Sequence, residues 1–390
     1  MRGRETAITK GGVNLETILT NARIVLADRI LRGHVVLRGT TIAVLADGAA
    51  HAAAVDMEGD FLIPGAVDVH TDNLERQVQP RQNARWPSRS ALLTHDAQCA
   101  AAGITSVLDA FCLGDTGFNE NRVQTFHEGV ADIDALSGTG LLKAEHFLHL
   151  RCEMPALDTL SLFAAVADHT RVRMISLMDH CPGVGQYANL DYYRGLRRKD
   201  GYSDTEIDRH IAQLQNQRAV LRAPTRRAIL ERARALDVTL ASHDDRTAEE
   251  IAENRADGIT VSEFPVTMLA AQTAKQAGMA VIAGAPNIVR GGSHSGNVAA
   301  ADLLGAGAVD AFASDYVPSS LLEAAFRCVA DGARDLPAAI GLISDRPARM
   351  ARLSDRGRIA AGLRADLVRV RLHEGWPVVR QVWRAGERVI

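Results

Sequence analysis

The middle of this 390-residue chain alternates short β-branched runs with stretches rich in alanine, arginine and leucine, which have the composition of helices. Strands that alternate with helices predict a parallel sheet, and eight of them predict a (β/α)8 TIM-type barrel. Capping-box spacings at Ser203/Glu206 and Thr247/Glu250 predict the starts of two helices. The eight runs occupy residues 65–70, 103–111, 146–151, 173–180, 238–243, 258–264, 280–286 and 309–315.

Both ends of the chain have a different character. Residues 18–45 and the C-terminal tail alternate apolar and polar residues in short segments separated by turns, which predicts strands. We therefore expect one small β-sandwich domain built from both termini. In this scheme residues 14–63 and 352–390 form the sandwich, residues 64–351 form the barrel, and residues 1–13 form an N-terminal extension.

Charge and apolar content exclude several classes of protein. The 44 lysine and arginine side chains are balanced by 47 aspartates and glutamates, which argues against general nucleic-acid binding. No apolar run approaches the roughly 18 residues of a membrane span, and the first residues lack the apolar core of a signal peptide. We expect a cytoplasmic protein without nucleic-acid or membrane partners, and homo-oligomer formation is left open.

The connection between the fourth and fifth runs, residues 181–237, is long for a compact domain and contains four of the five tyrosines. One hypothesis is a lid over the barrel mouth whose basic residues face an anion. The alternative is an ordinary solvated basic helix. The basic residues concerned are Arg194, Arg197, Arg198 and Lys199.

Several strand runs end in residues that bind metal ions. His70 and Asp72 are two positions apart in an extended strand, so both side chains lie on one face. Because barrel active sites lie at the carboxyl ends of the strands, residues that end different runs are expected to converge. Histidines and carboxylates together suit a pair of divalent cations; we favour zinc, with iron or manganese as alternatives. The later strand-end candidates are Glu153, His180, His243 and Asp315.

The pattern of residues 64–72, with the later strand-end histidines and aspartate, resembles the amidohydrolase superfamily. Residues 356–368 look like that superfamily's return into its β-domain. Two features depart from the usual pattern. The second ligand of the first strand is Asp72 instead of histidine, and none of the four lysines ends a strand. Glu153 is therefore the expected bridge between metals, where many members use a carboxylated lysine.

These departures are similar to one phosphonate-metabolism family, the α-D-ribose 1-methylphosphonate 5-triphosphate diphosphatases of the carbon–phosphorus lyase pathway. The resemblance implies hydrolysis of a ribose 5-triphosphate to the 5-phosphate plus pyrophosphate. Cyclic amidase or deaminase activity on the same fold, and a non-catalytic scaffold, are the alternatives. The motifs that carry the resemblance are residues 70–75, 80–81, 86–87, 149–153, 176–180, 241–245 and 284–297.

The resemblance also implies roles for individual residues. His70, Asp72 and Asp315 would hold one metal ion, and His180 and His243 the other. Glu153 would bridge the two ions, and Asp315 would be the catalytic base that accepts a proton from the attacking water. Asp179, Asp244 and Asp245 stay ambiguous between orienting a histidine and capping a helix. Five further histidines have no apparent convergent partner: His95, His127, His146, His149 and His169.

Residues 284–297 form a Gly/Ser-rich segment after a predicted strand. Backbone N–H groups in such a segment form anion-binding concavities, and an arginine adds a fork-shaped donor. We expect this segment to bind substrate phosphates. Its candidates are Asn287, Arg290, Ser293, His294, Ser295 and Asn297, with Asn73 and Arg81 as weaker candidates beside the first strand.

Overall fold

The computed structural model of the protein describes residues 16–50, 54–81, 84–116, 121–293 and 296–390. The expected N-terminal extension, residues 1–13, lies outside the described residues. Among those that are described, no helix combines the length and apolar character that a membrane crossing requires.

The described part of the chain contains sixteen strands and thirteen α-helices. The strands are β1 (Glu16–Val25), β2 (Ile30–Arg38), β3 (Thr41–Asp47), β4 (Val55–Asp56), β5 (Phe61–Pro64), β6 (Ala66–Thr71), β7 (Ile104–Leu113), β8 (Glu145–Glu153), β9 (Val172–Met178), β10 (Thr239–His243), β11 (Val261–Glu263), β12 (Ala280–Gly284), β13 (Ala311–Ala313), β14 (Leu367–His373), β15 (Trp376–Arg384) and β16 (Glu387–Arg388). The helices are α1 (Asn73–Val78), α2 (Ser88–Ala101), α3 (Asn121–Leu136), α4 (Thr159–Val166), α5 (Leu190–Lys199), α6 (Asp204–Ala233), α7 (Ala248–Ala256), α8 (Met268–Gln276), α9 (Ala285–Arg290), α10 (Ala300–Gly305), α11 (Ser320–Ala330), α12 (Leu336–Gly341) and α13 (Asp345–Met350).

The two ends of the chain build one mixed β-sheet, as expected. Its strands run in the order β16-β15-β14-β5-β1-β2-β3, with β4 paired to β1. Strand β5 lies parallel to β1 and antiparallel to β14, so it joins the N-terminal strands to the C-terminal ones. Leu19, Leu62, Leu367 and Trp383 pack in a common core, which requires both ends of the chain to be present. The exact domain boundaries stay predictions.

The eight predicted runs form a parallel barrel. Strands β6 to β13 pair in sequence order, and the barrel closes where Asp315, just beyond β13, meets the end of β6. The Asp72 N–H donates to the Asp315 carbonyl at 2.8 Å, and the Asp315 N–H donates to the His70 carbonyl at 3.0 Å. The seam of the barrel is therefore made by three of the residues that the sequence singled out as metal ligands.

Alternation along the barrel strands explains where the polar side chains point. In β8, Phe147 packs with residues of other barrel strands inside the barrel, whereas Leu148 and Leu150 pack outward against the helices. The side chains of Arg151 and Glu153 share the parity of Phe147, so they lie on the inner face. The inner side chains are apolar at the bottom of the barrel and polar at its carboxyl end.

Residues 181–237 contain a short 3-10 turn (Gly185–Tyr187), α5 and α6. Helix α6 begins at the predicted capping box of Ser203 and Glu206, and α7 begins at that of Thr247 and Glu250. The 30 residues of α6 run alongside the barrel and carry salt bridges to α7.

Candidate active site

The carboxyl ends of the barrel strands open into a cavity of about 590 Å³. Helices and loops from all sides of the barrel mouth contribute to its wall. Its lining includes five of the six expected metal ligands and Asp244, and Glu153 is the expected ligand that is not part of the wall. The lining residues that belong to the two candidate metal-binding clusters are His70, Asp72, His180, His243, Asp244 and Asp315.

The first cluster of metal-binding atoms comes from the ends of β9 and β10. The Nε2 atoms of His180 and His243 each lie 3.6 Å from Oδ2 of Asp244. Asp244 has φ +57°, a left-handed conformation that turns its carboxylate back toward the histidines after the strand ends. His180 Nε2 and Asp244 Oδ2 are both buried and have no hydrogen-bond partner among the described residues. Two buried polar atoms without partners at this separation fit a cation bound between them.

The second cluster lies at the barrel seam, between the ends of β6 and β13. His70 Nε2 is 3.4 Å from Oδ1 of Asp72, and the metal-binding atoms of His70, Asp72 and Asp315 all lie within 4.8 Å of one another. Asp315 has φ +55°, so it too reaches the cluster through a left-handed backbone turn. The two clusters are adjacent, because the rings of His70 and His243 stack with centroids 5.9 Å apart.

Two buried glutamates orient the three histidines. Glu263, at the end of β11, is hydrogen-bonded to Nδ1 of His70 at 2.8 Å and to Nδ1 of His243 at 2.7 Å. Glu153 is hydrogen-bonded to Nδ1 of His180 at 2.6 Å and also accepts the His180 backbone N–H at 2.8 Å. With Nδ1 engaged in each ring, Nε2 is the nitrogen left for a metal ion.

This placement changes the expected role of Glu153. One of its carboxylate oxygens is engaged with Nδ1 of His180 and the other with the His180 backbone N–H. Asp244, which the sequence left ambiguous, lies between two histidine Nε2 atoms instead. The geometry therefore favours Asp244 over Glu153 as the carboxylate in contact with metal.

Buried charges shift the pKa values of these side chains. Burial disfavours charged His70, but Glu263 and Asp72 outweigh burial and raise the pKa of His70 to about 10. Burial likewise disfavours the charged form of His180, but Glu153 and Asp244 outweigh burial and raise the pKa of His180 to about 9. Burial and the nearby Asp72 raise the pKa of Asp315 to about 6. These side chains thus hold protons at positions where a bound cation would replace them.

Arg151 and His149 complete the inner wall below the two clusters. Arg151 donates to Oδ1 of Asp72 at 2.8 Å, and this positive charge helps to lower the pKa of Asp72 despite burial. His149 Nδ1 contacts the Val69 carbonyl at 3.0 Å, and its Nε2 is hydrogen-bonded to Ser176 Oγ. Burial lowers the pKa of His149 to about 3, so it is neutral. The expectation that His149 has no partner is wrong.

The expected phosphate-binding segment reaches the cavity. Four of its candidates line the wall, and Gly291 and Gly292, with φ +79° and +159°, form the turn that follows α9. The side chain of Asn287 also accepts the Ala300 N–H at 3.0 Å, which fixes the end of the segment. His294 and Ser295 lie outside the described residues. The four lining candidates are Asn287, Arg290, Ser293 and Asn297.

Asn73 and Arg81 do not line the cavity. Asn73 is buried behind the barrel wall, where its amide nitrogen is 2.9 Å from Nδ1 of His95 and from Oε1 of Gln98. Arg81 is exposed beyond α1. The expectation that these two residues contact substrate is therefore not supported by their placement, because the turn after Asp72 directs Asn73 away from the mouth.

His95 and His146, expected to have no partner, share one buried carboxylate behind the same wall. Asp109 lies 2.8 Å from Nε2 of His95 and 2.8 Å from Nδ1 of His146. Burial is offset by His146, which lowers the pKa of Asp109 to about 2, while Asp109 and Asp96 raise the pKa of His146 to about 9. This is a satisfied ion-pair network between β7, β8 and α2.

The insertion between β9 and β10 also contributes to the cavity, in part as the lid hypothesis requires. Tyr187, Tyr193 and Arg197 line the wall. Arg197 is also ion-paired with Asp200 at 3.0 Å. Arg194 and Arg198 form ion pairs with Asp208 and Asp204 and do not line the wall, and Lys199 is exposed.

Sequence reasoning missed Glu263, Arg151 and the ligand geometry of Asp244. Glu263 ends a run that was recognised as a strand, and it shares the inward parity of Val261. The same period-2 argument that selected His70 and Asp72 applies to it, so the signal was present. Asp244 gave no such signal, since a positive φ after a strand is not visible in composition.

Comparisons with known proteins identify relatives of the chain. No family model matches the chain. The α-D-ribose 1-methylphosphonate 5-triphosphate diphosphatase of Escherichia coli (strain K12) is 41% identical over 379 residues, which cover 95% of this chain and 100% of that protein. The crystal structure of a dihydropyrimidinase from Brevibacillus agri NCHU1002 matches with a TM-score of 0.65 and 14% identity, covering 96% of this chain and 95% of that one. An amidohydrolase structure matches with a TM-score of 0.61 and 15% identity, covering 96% and 99%.

The chain shares its fold, a parallel eight-stranded barrel, with solved amidohydrolase structures, and histidines and carboxylates cluster at the carboxyl end of its barrel. The full-length identity to the E. coli relative gives the narrower assignment. The chain belongs to the α-D-ribose 1-methylphosphonate 5-triphosphate diphosphatase family. Both levels of the resemblance found in the sequence are confirmed.

Proposed function

We propose that the protein hydrolyses α-D-ribose 1-methylphosphonate 5-triphosphate to the 5-phosphate and pyrophosphate, with divalent metal ions as cofactors. The observation that carries this proposal is the meeting of two histidine–carboxylate clusters in a cavity whose wall also contains five arginines. These are Arg76, Arg122, Arg151, Arg197 and Arg290. The substrate is that named for the E. coli relative.

The residues present fit two divalent ions, for which zinc is the favoured identity and iron or manganese the alternatives. His180, His243 and Asp244 would hold one ion, and His70, Asp72 and Asp315 the other. When bound, such ions lower the pKa of water and neutralise charge on phosphate oxygens. Glu153 and Glu263 keep the histidine rings oriented but do not act as ligands in this scheme.

Asp315 is proposed as the catalytic base. Its carboxyl group lies in the cavity wall, and burial together with Asp72 raises its pKa to about 6, near the value that suits proton transfer at neutral pH. Bound cations would lower this pKa and leave the carboxylate ready to accept a proton from the attacking water. A phosphoanhydride has a good leaving group, so the proposal assigns no separate general acid.

The 284–297 segment is proposed to hold the phosphates that leave as pyrophosphate. Arg290 supplies a guanidinium at the rim, and Ser293 and Asn297 supply polar side chains next to the glycine turn. This cationic and polar wall favours a polyanion over the neutral substrate of a cyclic amidase or deaminase. A cytoplasmic location and assembly into homo-oligomers stay expectations.

The direct test is product analysis with the purified protein. The enzyme is stripped with a chelator, reloaded separately with zinc, iron or manganese, and assayed for pyrophosphate and for phosphate. Metal-dependent release of pyrophosphate without matching phosphate is the expected result. Release of phosphate one unit at a time, or no release with any metal, would contradict the proposal.

A matched pair of variants links the activity to the site. His180→Asn removes a ring nitrogen from the first cluster and should lose both metal and activity. His169→Asn changes a histidine that contacts Asp134 on the surface, and it should retain both. If the two variants had the same metal content and the same activity, the activity would not depend on this cavity.

A further inference from the structure

Three of the five arginines in the cavity wall lie on two opposite sides of the barrel mouth. The 284–297 segment follows β12, whereas Arg122 lies in the first turn of α3 after β7 and Arg197 lies in the insertion after β9. In the closed order of the barrel, β8 lies between β7 and β9, and it is four strands away from β12 in either direction. The histidine–carboxylate clusters lie between the two sides.

The two sides differ in chemistry. The β12 side offers a glycine turn, Arg290 and small polar side chains, which together provide many donors for a group with several negative charges. On the insertion side, the rings of Tyr187 and Tyr193 meet edge to face at 5.2 Å, and the guanidinium of Arg197 lies 5.3 Å from the Tyr193 ring centre. This side combines apolar ring surface with an arginine.

The insertion side also lies directly beside the metal-binding histidines. The Tyr187 ring is 6.0 Å from the ring of His180, measured between centroids. A substrate whose reacting phosphate lies at the clusters can therefore place one end against Tyr187 and the other against the β12 segment.

The substrate of the proposed function has two unlike anionic ends. At C5 the ribose carries a triphosphate, with several charges and a terminal diphosphate that leaves. At C1 it carries a methylphosphonate ester, with a single negative charge and an apolar methyl group. One arginine beside aromatic rings matches the second group, while the donor-rich β12 side matches the first.

We propose that Arg197 and Tyr187 form a specificity subsite for the C1 methylphosphonate. Arg197 pairs with its single charge, Tyr187 contacts its methyl group, and the 284–297 segment holds the diphosphate. This inference rests on the proposed function. It makes the insertion between β9 and β10 the element that distinguishes this substrate from other 5-triphosphorylated sugars.

The test compares two substrates in the metal-loaded enzyme: the methylphosphonate compound, and methyl α-D-ribofuranoside 5-triphosphate, which lacks the phosphonate. Arg197→Gln should lower kcat/KM about 10- to 100-fold on the first substrate, mainly through KM, and less than about 3-fold on the second. Arg198→Gln, on the same helix but not part of the cavity wall, is the control and should leave both unchanged. Arg290→Gln should weaken both substrates alike.

Tyr187 is tested by paired substitutions. Tyr187→Phe keeps the ring and should retain the preference for the methylphosphonate compound, whereas Tyr187→Ser should reduce it. Metal content, measured for every variant, should stay at the wild-type level.

The outcomes separate the two proposals. If wild-type enzyme releases pyrophosphate from both substrates but Arg197→Gln weakens them equally, or weakens neither, the subsite assignment is wrong and the proposed function stands. If wild-type enzyme releases pyrophosphate from neither substrate, the proposed function fails and this inference fails with it.

Discussion

Replacing Glu263 with glutamine should weaken metal binding although this residue contacts no metal ion in the proposed arrangement. The Glu263 carboxylate is fully buried and is shared between Nδ1 of His70 and Nδ1 of His243, with a third hydrogen bond of 3.1 Å from Ser176 Oγ. A carboxylate accepts from both rings, but an amide has one oxygen that accepts and one nitrogen that donates.

In Glu263→Gln, one of the two histidines must therefore face an N–H group. That ring is driven to carry its proton on Nε2, the nitrogen that would bind the metal. Loss of such an orienting group typically lowers metal affinity 10- to 100-fold, which corresponds to about 1.4–2.8 kcal/mol. Because one ligand of a cluster is directly affected, we expect the upper half of this range at one of the two sites.

The assay is competition with a chelator at fixed pH, with folding checked by circular dichroism. Glu231→Gln, which makes the same chemical change at an exposed position of α6, is the control and should bind metal normally. Ser176→Ala leaves the carboxylate in place and should lower the affinity less than about tenfold. Wild-type metal affinity in Glu263→Gln would refute the claim that this carboxylate sets the histidine tautomers.

Three further predictions concern the proposed catalytic base Asp315, the protonation of the histidines His70 and His180, and Asn73, which is buried behind the barrel wall. Asp315→Asn should fold, because asparagine tolerates the left-handed φ, and should keep metal yet lose at least about 10²-fold in kcat; near-normal turnover would exclude the base role. The pKa values of about 10 for His70 and about 9 for His180 mean that both rings are in the charged, doubly protonated form below those pH values. Because a metal ion must displace a proton from each ring, metal affinity should rise with pH and should fall at least about tenfold per pH unit toward acid. Chelator competition between about pH 6 and about pH 9 measures this dependence, and a flat profile would contradict it. Asn73→Ala should lower the free energy of unfolding by about 1–3 kcal/mol in urea and leave KM unchanged, whereas a large rise in KM would restore this residue to the substrate site.

Periodicity was sufficient to predict the barrel and most of its mouth. Each barrel strand was recognisable as a short β-branched run, and parity within β6 placed His70 and Asp72 on one face. The convergence of strand ends then follows from the fold itself, since all eight strands are parallel. The same logic, carried through β11, would also have selected Glu263.

The periodicity of the sequence does not predict the local backbone turns that follow the strands. Asp244 and Asp315 both enter the site through positive φ angles, and Asn73, one residue after a predicted ligand, turns away from it. Glu153 ends its strand as predicted, but its oxygens are hydrogen-bonded to Nδ1 and to the backbone N–H of His180. Residue type and spacing identify which side chains are near a site, whereas hydrogen-bond partners decide which atoms face it.

The barrel seam has a consequence for how the chain acquires metal. The hydroxyl of Thr71 donates to the carbonyl of Asp315 across 244 positions of sequence, and the second cluster is assembled from the same two strand ends. A chain that lacks the last barrel strand can contain every histidine and still be unable to complete that cluster. Metal bound at the second cluster links the two strand ends of the closed barrel, so it stabilises the closed fold relative to any partly folded one. Occupancy of the second cluster should therefore report that the whole barrel has folded.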